Sequence, residues 1–198
     1  MLRTTLLTAL LSLGLATAAV AETPAATPAT PAVATPAAAT PAPAASETRD
    51  VKLFFDETFN DMKEELETAK TDGKKGLLIM FEMDECPFCH RMKTTVLNRS
   101  DIQDYYKENF RVISVDIEGD LELTNFSGET TTQKDFALKD FRVRATPVFQ
   151  FIDLEGKPFK NGRMTGATKD AEEFMLLGKY ITAKKNEEMP FTKFKHEQ

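Results

Sequence analysis

Tryptophan is absent from this 198-residue chain, and cysteine and histidine occur only twice each. Two cysteines and two histidines cannot build zinc fingers, a four-thiolate metal cluster or a disulfide-dense secreted scaffold. Basic residues are in the minority, 25 against 31 acidic, for a net charge of −6 at neutral pH. Phosphate backbones and anionic lipid surfaces need a basic face, so neither nucleic acid nor an acidic membrane is expected as the main partner. Beyond residue 21 no segment approaches 18 consecutive apolar residues, so no membrane-spanning helix is expected there. What is present, 41% hydrophobic and 28% charged residues, is the balance of a globular domain with extra chain attached.

The extra chain lies at the N-terminus. Arg3, the apolar run Leu6 to Leu15 and the small-x-small pattern Ala19-Val20-Ala21 form the layout of a secretory signal peptide, residues 1–21. Its apolar part is too short to span a bilayer comfortably, which favours cleavage after Ala21 over retention as an anchor. Cleavage removes Arg3 and takes the net charge to −7, and no cysteine nearby can accept a lipid. The expected location is a bacterial periplasm, with no stable membrane insertion once the leader is gone. Residues 22–49 then read as a disordered linker. Glu22 to Ala45 holds six of the ten prolines (Pro24, Pro28, Pro31, Pro36, Pro41, Pro43) among alanine and threonine, with no glycine or aromatic residue. Such a segment cannot bury a core and favours an extended polyproline II form, at roughly 3.1 Å per residue. It is either a tether or a solvated tail, and composition alone favours the tail.

The folded domain is expected over residues 50–185. Phe59, Met62, Leu66 and Ala69, spaced by three and four, predict an amphipathic helix within Phe55 to Lys70, ended by Thr71-Asp72-Gly73. Gly76 to Met83 is short, continuous and apolar, as in a strand buried on both faces. Pro87 opens a helix to about Leu97, and Ser100-Asp101 opens another through Tyr106. Phe110 to Ile117 reads as a second buried strand, Gln133 to Phe141 as a helix and Pro147 to Asp153 as a strand. Leu154-Glu155-Gly156-Lys157 is a hairpin turn into a short strand near Phe159, and Lys169 to Lys184 is the last helix. Alternating elements followed by a hairpin predict an α/β fold, a mixed central sheet with helices on both faces. Residues 186–198 are charged and expected as a flexible tail, although Phe191 and Phe194 are apolar enough to pack.

Both cysteines fall in Cys86-Pro87-Phe88-Cys89, between a buried strand and a helix. A disulfide across so small a loop removes little entropy from the unfolded chain, so a purely structural staple is a poor use of the pair. Reversible redox chemistry suits it better. At a helix N-terminus the free N–H groups and the dipole stabilise a thiolate at Cys86, and Cys89, three residues on, shares that helix face. Cys86 is then the attacking sulfur and Cys89 the resolving one. Two other readings stand beside this. Cys86-Pro87-Phe88-Cys89-His90 matches a c-type haem attachment pattern, with His90 and Met164 as axial candidates. Copper could be held by Cys86, Cys89, His90, Met83 and Met92, although buried methionines are usually core filler. The buried strand before the motif argues for the dithiol, without metal or other cofactor.

Cys-x-x-Cys after a strand, with Ala145-Thr146-Pro147 opening a later strand, resembles the thioredoxin superfamily over Asp50 to about Lys184. The resemblance implies a thioredoxin fold, a cis Pro147 facing the dithiol, and substrate binding by Thr146, Pro147, Pro87 and Phe88. It implies a thiol–disulfide oxidoreductase acting on exported protein thiols and disulfides. Val115-Asp116-Ile117-Glu118-Gly119-Asp120, Phe136 to Val143 and Arg144-Ala145-Thr146-Pro147 are similar to periplasmic SoxW-type thioredoxins, which implies a reductase fed by a membrane thiol-reductant donor. Only 30 residues separate Asp116 from Pro147, too few for the helical domain of DsbA-like oxidases; an oxidase or isomerase is the competing direction. The chain departs from the family in two places. Glu85 stands where tryptophan usually precedes the first cysteine, and Met80 where a buried aspartate relays protons. Relay falls to water or to a group such as Glu82, whose alternative fate is an exposed carboxylate at a strand end. Glu82, Asp84 and Glu85 oppose thiolate formation, while His90, Arg91 and Lys93 favour it.

Overall fold

The computed structural model describes residues 46–198, so the leader and all but the last four residues of the linker lie outside the described part. Those last residues are held against the domain. Thr48 forms a bridge with Arg99, and the Arg49 N–H donates to the Asn98 carbonyl at 2.7 Å. A 3-10 turn, Val51–Phe54, follows and buries Phe54.

Four strands make the main sheet: β1 (Leu77–Glu82), β2 (Arg111–Asp116), β5 (Val148–Ile152) and β6 (Pro158–Thr165), in the order β2-β1-β5-β6. β1 runs parallel to β2 and antiparallel to β5, and β5 is antiparallel to β6. Residues 77–81 of β1 are fully buried, as their unbroken apolar run predicts, because helices cover both faces of this inner strand. Alternation sorts the side chains. Leu78, Met80, Val112, Phe149 and Phe151 face one layer, α2 (Pro87–Thr95), α3 (Ser100–Asn109) and α5 (Ala171–Thr182), through Met92, Ile102, Tyr106, Phe174 and Leu177. Leu77, Ile79, Phe81, Ile113 and Val148 face the other, α1 (Met62–Thr71) and α4 (Gln133–Asp135), the latter continued by a π-type turn over Phe136–Asp140. The mixed sheet with helices on both faces is therefore present.

Several local expectations are corrected. Helix α1 begins at Met62, not near Phe55, because the Asp61 carboxylate caps the N–H groups of Lys63 and Glu64. Phe59 falls outside the helix and is 96% exposed instead of lying on its apolar face. β2 is an edge strand, and Asp56 covers part of that edge by exchanging hydrogen bonds with Val112 (2.8 and 2.7 Å). The segment before Pro147 also contains a small hairpin, β3 (Glu122–Thr124) with β4 (Thr130–Thr132), too short and polar to read as strands. Residues 186–198, expected to be flexible, include α6 (Lys185–Glu188) and α7 (Phe191–His196). The two phenylalanines account for this: Phe191 and Phe194 pack on Tyr180 at ring separations of 5.4 and 5.2 Å. Among the described residues no helix is long and apolar enough to cross a membrane.

Candidate active site

β1 delivers the chain to the site. After Glu82 a short turn leads to Cys86, the N-cap of α2, with Pro87 at the first helical position. The Cys86 sulfur accepts the Cys89 N–H at 3.0 Å, the bond that a capping serine or aspartate oxygen would make. The two sulfurs are bonded to each other, with Cα atoms 5.2 Å apart. Cys89 is buried to 2% exposure, beneath a rim on which Pro87 is exposed and Phe88 keeps 60% of its surface in solvent. A sulfur at this position faces the unpaired N–H groups and positive end of α2, which favour negative charge on it after reduction.

The Thr146–Pro147 peptide bond is cis. Val148 pairs with Phe81, so Pro147 lies beside Glu82 at the end of the sheet from which the Cys86 loop departs. The Pro147 carbonyl accepts the Gly166 N–H at 2.8 Å. Thr146 makes no backbone hydrogen bond among the described residues, and its hydroxyl oxygen is buried without a partner. Its peptide groups are thus available to an incoming extended segment.

Glu82 is not the exposed strand-end carboxylate. Its side chain keeps 14% of its surface, accepts the Ser114 hydroxyl and forms an ion pair with Lys93. The Lys93 ammonium also sits 6.0 Å from the Phe55 ring centroid. Glu82 and Lys93 line a cleft of about 100 Å³ together with Met83, Asp84, Cys86, Cys89 and His90. Sequence reasoning named Glu82 but missed its partners: Ser114 lies on another strand, and Lys93 meets Glu82 only when α2 folds back over the sheet. Arg91 is turned elsewhere, donating to the carbonyls of Thr168 (2.6 Å) and Lys169 (3.2 Å). Of the three cations expected to favour a thiolate, Arg91 is therefore committed to backbone and Lys93 to Glu82.

Four of the six residues named for haem or copper have other engagements. Both sulfurs are in the disulfide. Met92 is a core residue that receives a 3.5 Å contact from the Thr168 hydroxyl, and Met164 pairs with Phe149 on the outer strand. Among the described residues no group of three or more His, Cys, Asp or Glu side chains is placed to hold a metal ion.

Residues 62–182 match the family model described as a thioredoxin-like domain. A thioredoxin-fold protein from Helicobacter pylori is similar at 19% identity and a TM-score of 0.54, over 72% of this chain and 88% of that one. A thioredoxin from Thermus thermophilus shares 24% identity, covering 61% and 83% of the two chains, with a TM-score of 0.48. The C-terminal domain of DsbD from Neisseria meningitidis shares 18%, covering 60% and 91%, with a TM-score of 0.44. At these identities the likeness speaks to fold alone. No curated protein sequence matches the chain.

Proposed function

The chain belongs to the thioredoxin-like domain family and is a thiol–disulfide oxidoreductase; from that premise we propose that it works in the periplasm as a SoxW-type reductase of disulfides in exported proteins. The observation that carries this reading is the Cys86–Cys89 pair capping α2 at the sheet end where the cis bond before Pro147 lies. The leader pattern of residues 1–21 supports the compartment.

The reduced protein starts the cycle. The Cys86 thiolate attacks one sulfur of a partner disulfide; a Cys86–partner bond forms, and the released partner thiolate takes up a proton. Thr146 binds the partner strand through its peptide groups, with Pro147, Pro87 and Phe88 around the mixed disulfide. Cys89 passes its proton through the cleft toward the Glu82 carboxylate, then attacks the Cys86 sulfur. The Cys86–Cys89 bond forms again, and the second partner thiolate leaves with the proton. Two electrons and the Cys89 proton have moved from the dithiol to the partner, whose other proton comes from water, and a membrane thiol donor returns the two electrons that reopen the Cys86–Cys89 bond. Sulfur carries every electron, so the cycle needs no cofactor.

The equilibrium reduction potential tests the direction, and paired variants test the roles. A potential near that of thioredoxin, roughly −270 mV, supports a reductase; one near −120 mV makes the protein an oxidant. Cys86→Ser is expected to abolish exchange, and Cys89→Ser to trap mixed disulfides. Substantial exchange by Cys86→Ser overturns the mechanism, and the absence of a titratable dithiol brings the haem or copper reading forward.

A further inference from the structure

Resting on the exchange reaction proposed above, we infer that the dithiol face selects partners whose disulfide cysteine is flanked by basic residues. Two loops make this surface. The Ile117 N–H donates to the Glu82 carbonyl at 2.9 Å, so the loops leaving β1 and β2 run side by side at the sheet end that carries the cysteines. The first loop exposes Asp84 and Glu85, and the second Glu118 and Asp120. Among the described residues none of these four carboxylates is in an ion pair, whereas Glu82 behind them is paired with Lys93. Asp84 and Glu85 line, with Cys86, Pro87 and His90, a shallow open cleft of about 400 Å³.

The acidic surface is held in place. The Asp116 carboxylate accepts the Glu118 N–H at 2.9 Å, and the Gly119 carbonyl accepts the Lys134 N–H at 3.0 Å. The basic side chains near these loops are Arg144 before the cis bond and Lys134 beyond the second loop, with Lys93 taken by Glu82. Two large apolar side chains complete the surface. Phe88 is 60% exposed and Leu121, next to Asp120, is 65% exposed. Exposed apolar side chains on the same segments as unpaired carboxylates suit a partner segment that offers an apolar contact beside lysine or arginine. The same field repels a segment with glutamate or aspartate there, and both effects weaken as salt screens them.

The test uses the full chain, reduced with dithiothreitol and freed of it, against two synthetic disulfide peptides. The peptides are identical except that lysine or glutamate flanks each cysteine. The readout is the ratio of their second-order rates, which divides out any change in the reactivity of Cys86. About 10-fold preference for the lysine peptide is expected at about 20 mM salt, falling toward 2-fold at about 500 mM. In the double variant Glu85→Lys/Glu118→Lys the ratio is expected to drop below one. A ratio near one at low salt, a preference that ignores salt, or a ratio unmoved by the double variant overturns the inference. If neutral hydroxyethyl disulfide is also left unreduced by the unmodified protein, the exchange reading itself fails; if it is reduced, only the selectivity fails.

Discussion

Replacing Glu82 by glutamine tests whether the half-buried carboxylate accepts the Cys89 proton. Glutamine keeps the side-chain volume and an oxygen for the Ser114 hydroxyl, so packing is retained while the base is lost. A positioned general base contributes about 10²- to 10⁴-fold. The cleft of about 100 Å³ has room for water as a substitute acceptor, which places the effect at the low end, about 10²-fold or 2.7 kcal/mol. The freed Lys93 ammonium opposes this loss. A cation lining the same cleft favours thiolate, and because Lys93 is a third exposed its help is held to about tenfold. Glu82→Gln is therefore expected to slow resolution of the mixed disulfide about 10-fold at pH 7, and Glu82→Gln/Lys93→Met about 10²-fold. Stopped-flow with a fluorescent peptide disulfide separates capture by Cys86 from resolution by Cys89, and a Cys89→Ser background isolates capture. The deficit is expected to close above about pH 9, where a thiol ionises unaided. Resolution within twofold of the parent in both variants, or equal slowing of capture, refutes the assignment.

Two stability predictions follow from the fold. Arg111 pairs with Glu65 across α1 and β2, both largely shielded, and donates to the Glu57 carbonyl at 2.9 Å; Arg111→Met strands a buried carboxylate and is expected to cost about 3 kcal/mol in urea unfolding, most of it recovered by adding Glu65→Leu. A loss under 1 kcal/mol would show that water reaches Glu65. The C-terminal helix is tied to α5 by Lys195 and Glu173 at 2.6 Å. Burial raises the Glu173 pKa, but its bonds from Lys195 and the Lys169 N–H outweigh this and hold it below the usual carboxylate value. A lowered folded-state value means stability present above the unfolded pKa and lost as pH falls through the folded one. The stability difference between the parent and Lys195→Met is thus expected at about 0.5–1 kcal/mol above about pH 5, shrinking as the pH falls below about 4. A difference independent of pH would assign it to the lysine stem's packing.

How far the sequence reached can be followed residue by residue. The run Leu77 to Phe81 announced a strand buried on both faces because its short length and the Gly76 before it suit a strand better than a buried helix. Cys86 and Cys89 announced the chemistry because their spacing and the helix start at Pro87 are local facts, read within four residues. The hairpin Leu154 to Lys157 was equally local. Phe59 misled, since its helical spacing to Met62 was real but the cap at Asp61 stopped the helix before it. The tail misled for the opposite reason: it looks solvated until Tyr180 supplies a surface for Phe191 and Phe194.

By itself, then, the sequence determined what short-range physics determines: the elements, the dithiol and its place at a helix start. Only the tertiary structure decided who stands around that dithiol. Glu82, Lys93 and Ser114 come from two strands and a helix, Arg91 is drawn away to carbonyls 77 and 78 residues further along, and the acidic loops meet because β2 pairs with β1. Ion pairs and clefts of this kind depend on register and on how a helix lies over a sheet. Those are set by packing the whole core, and no local spacing encodes them.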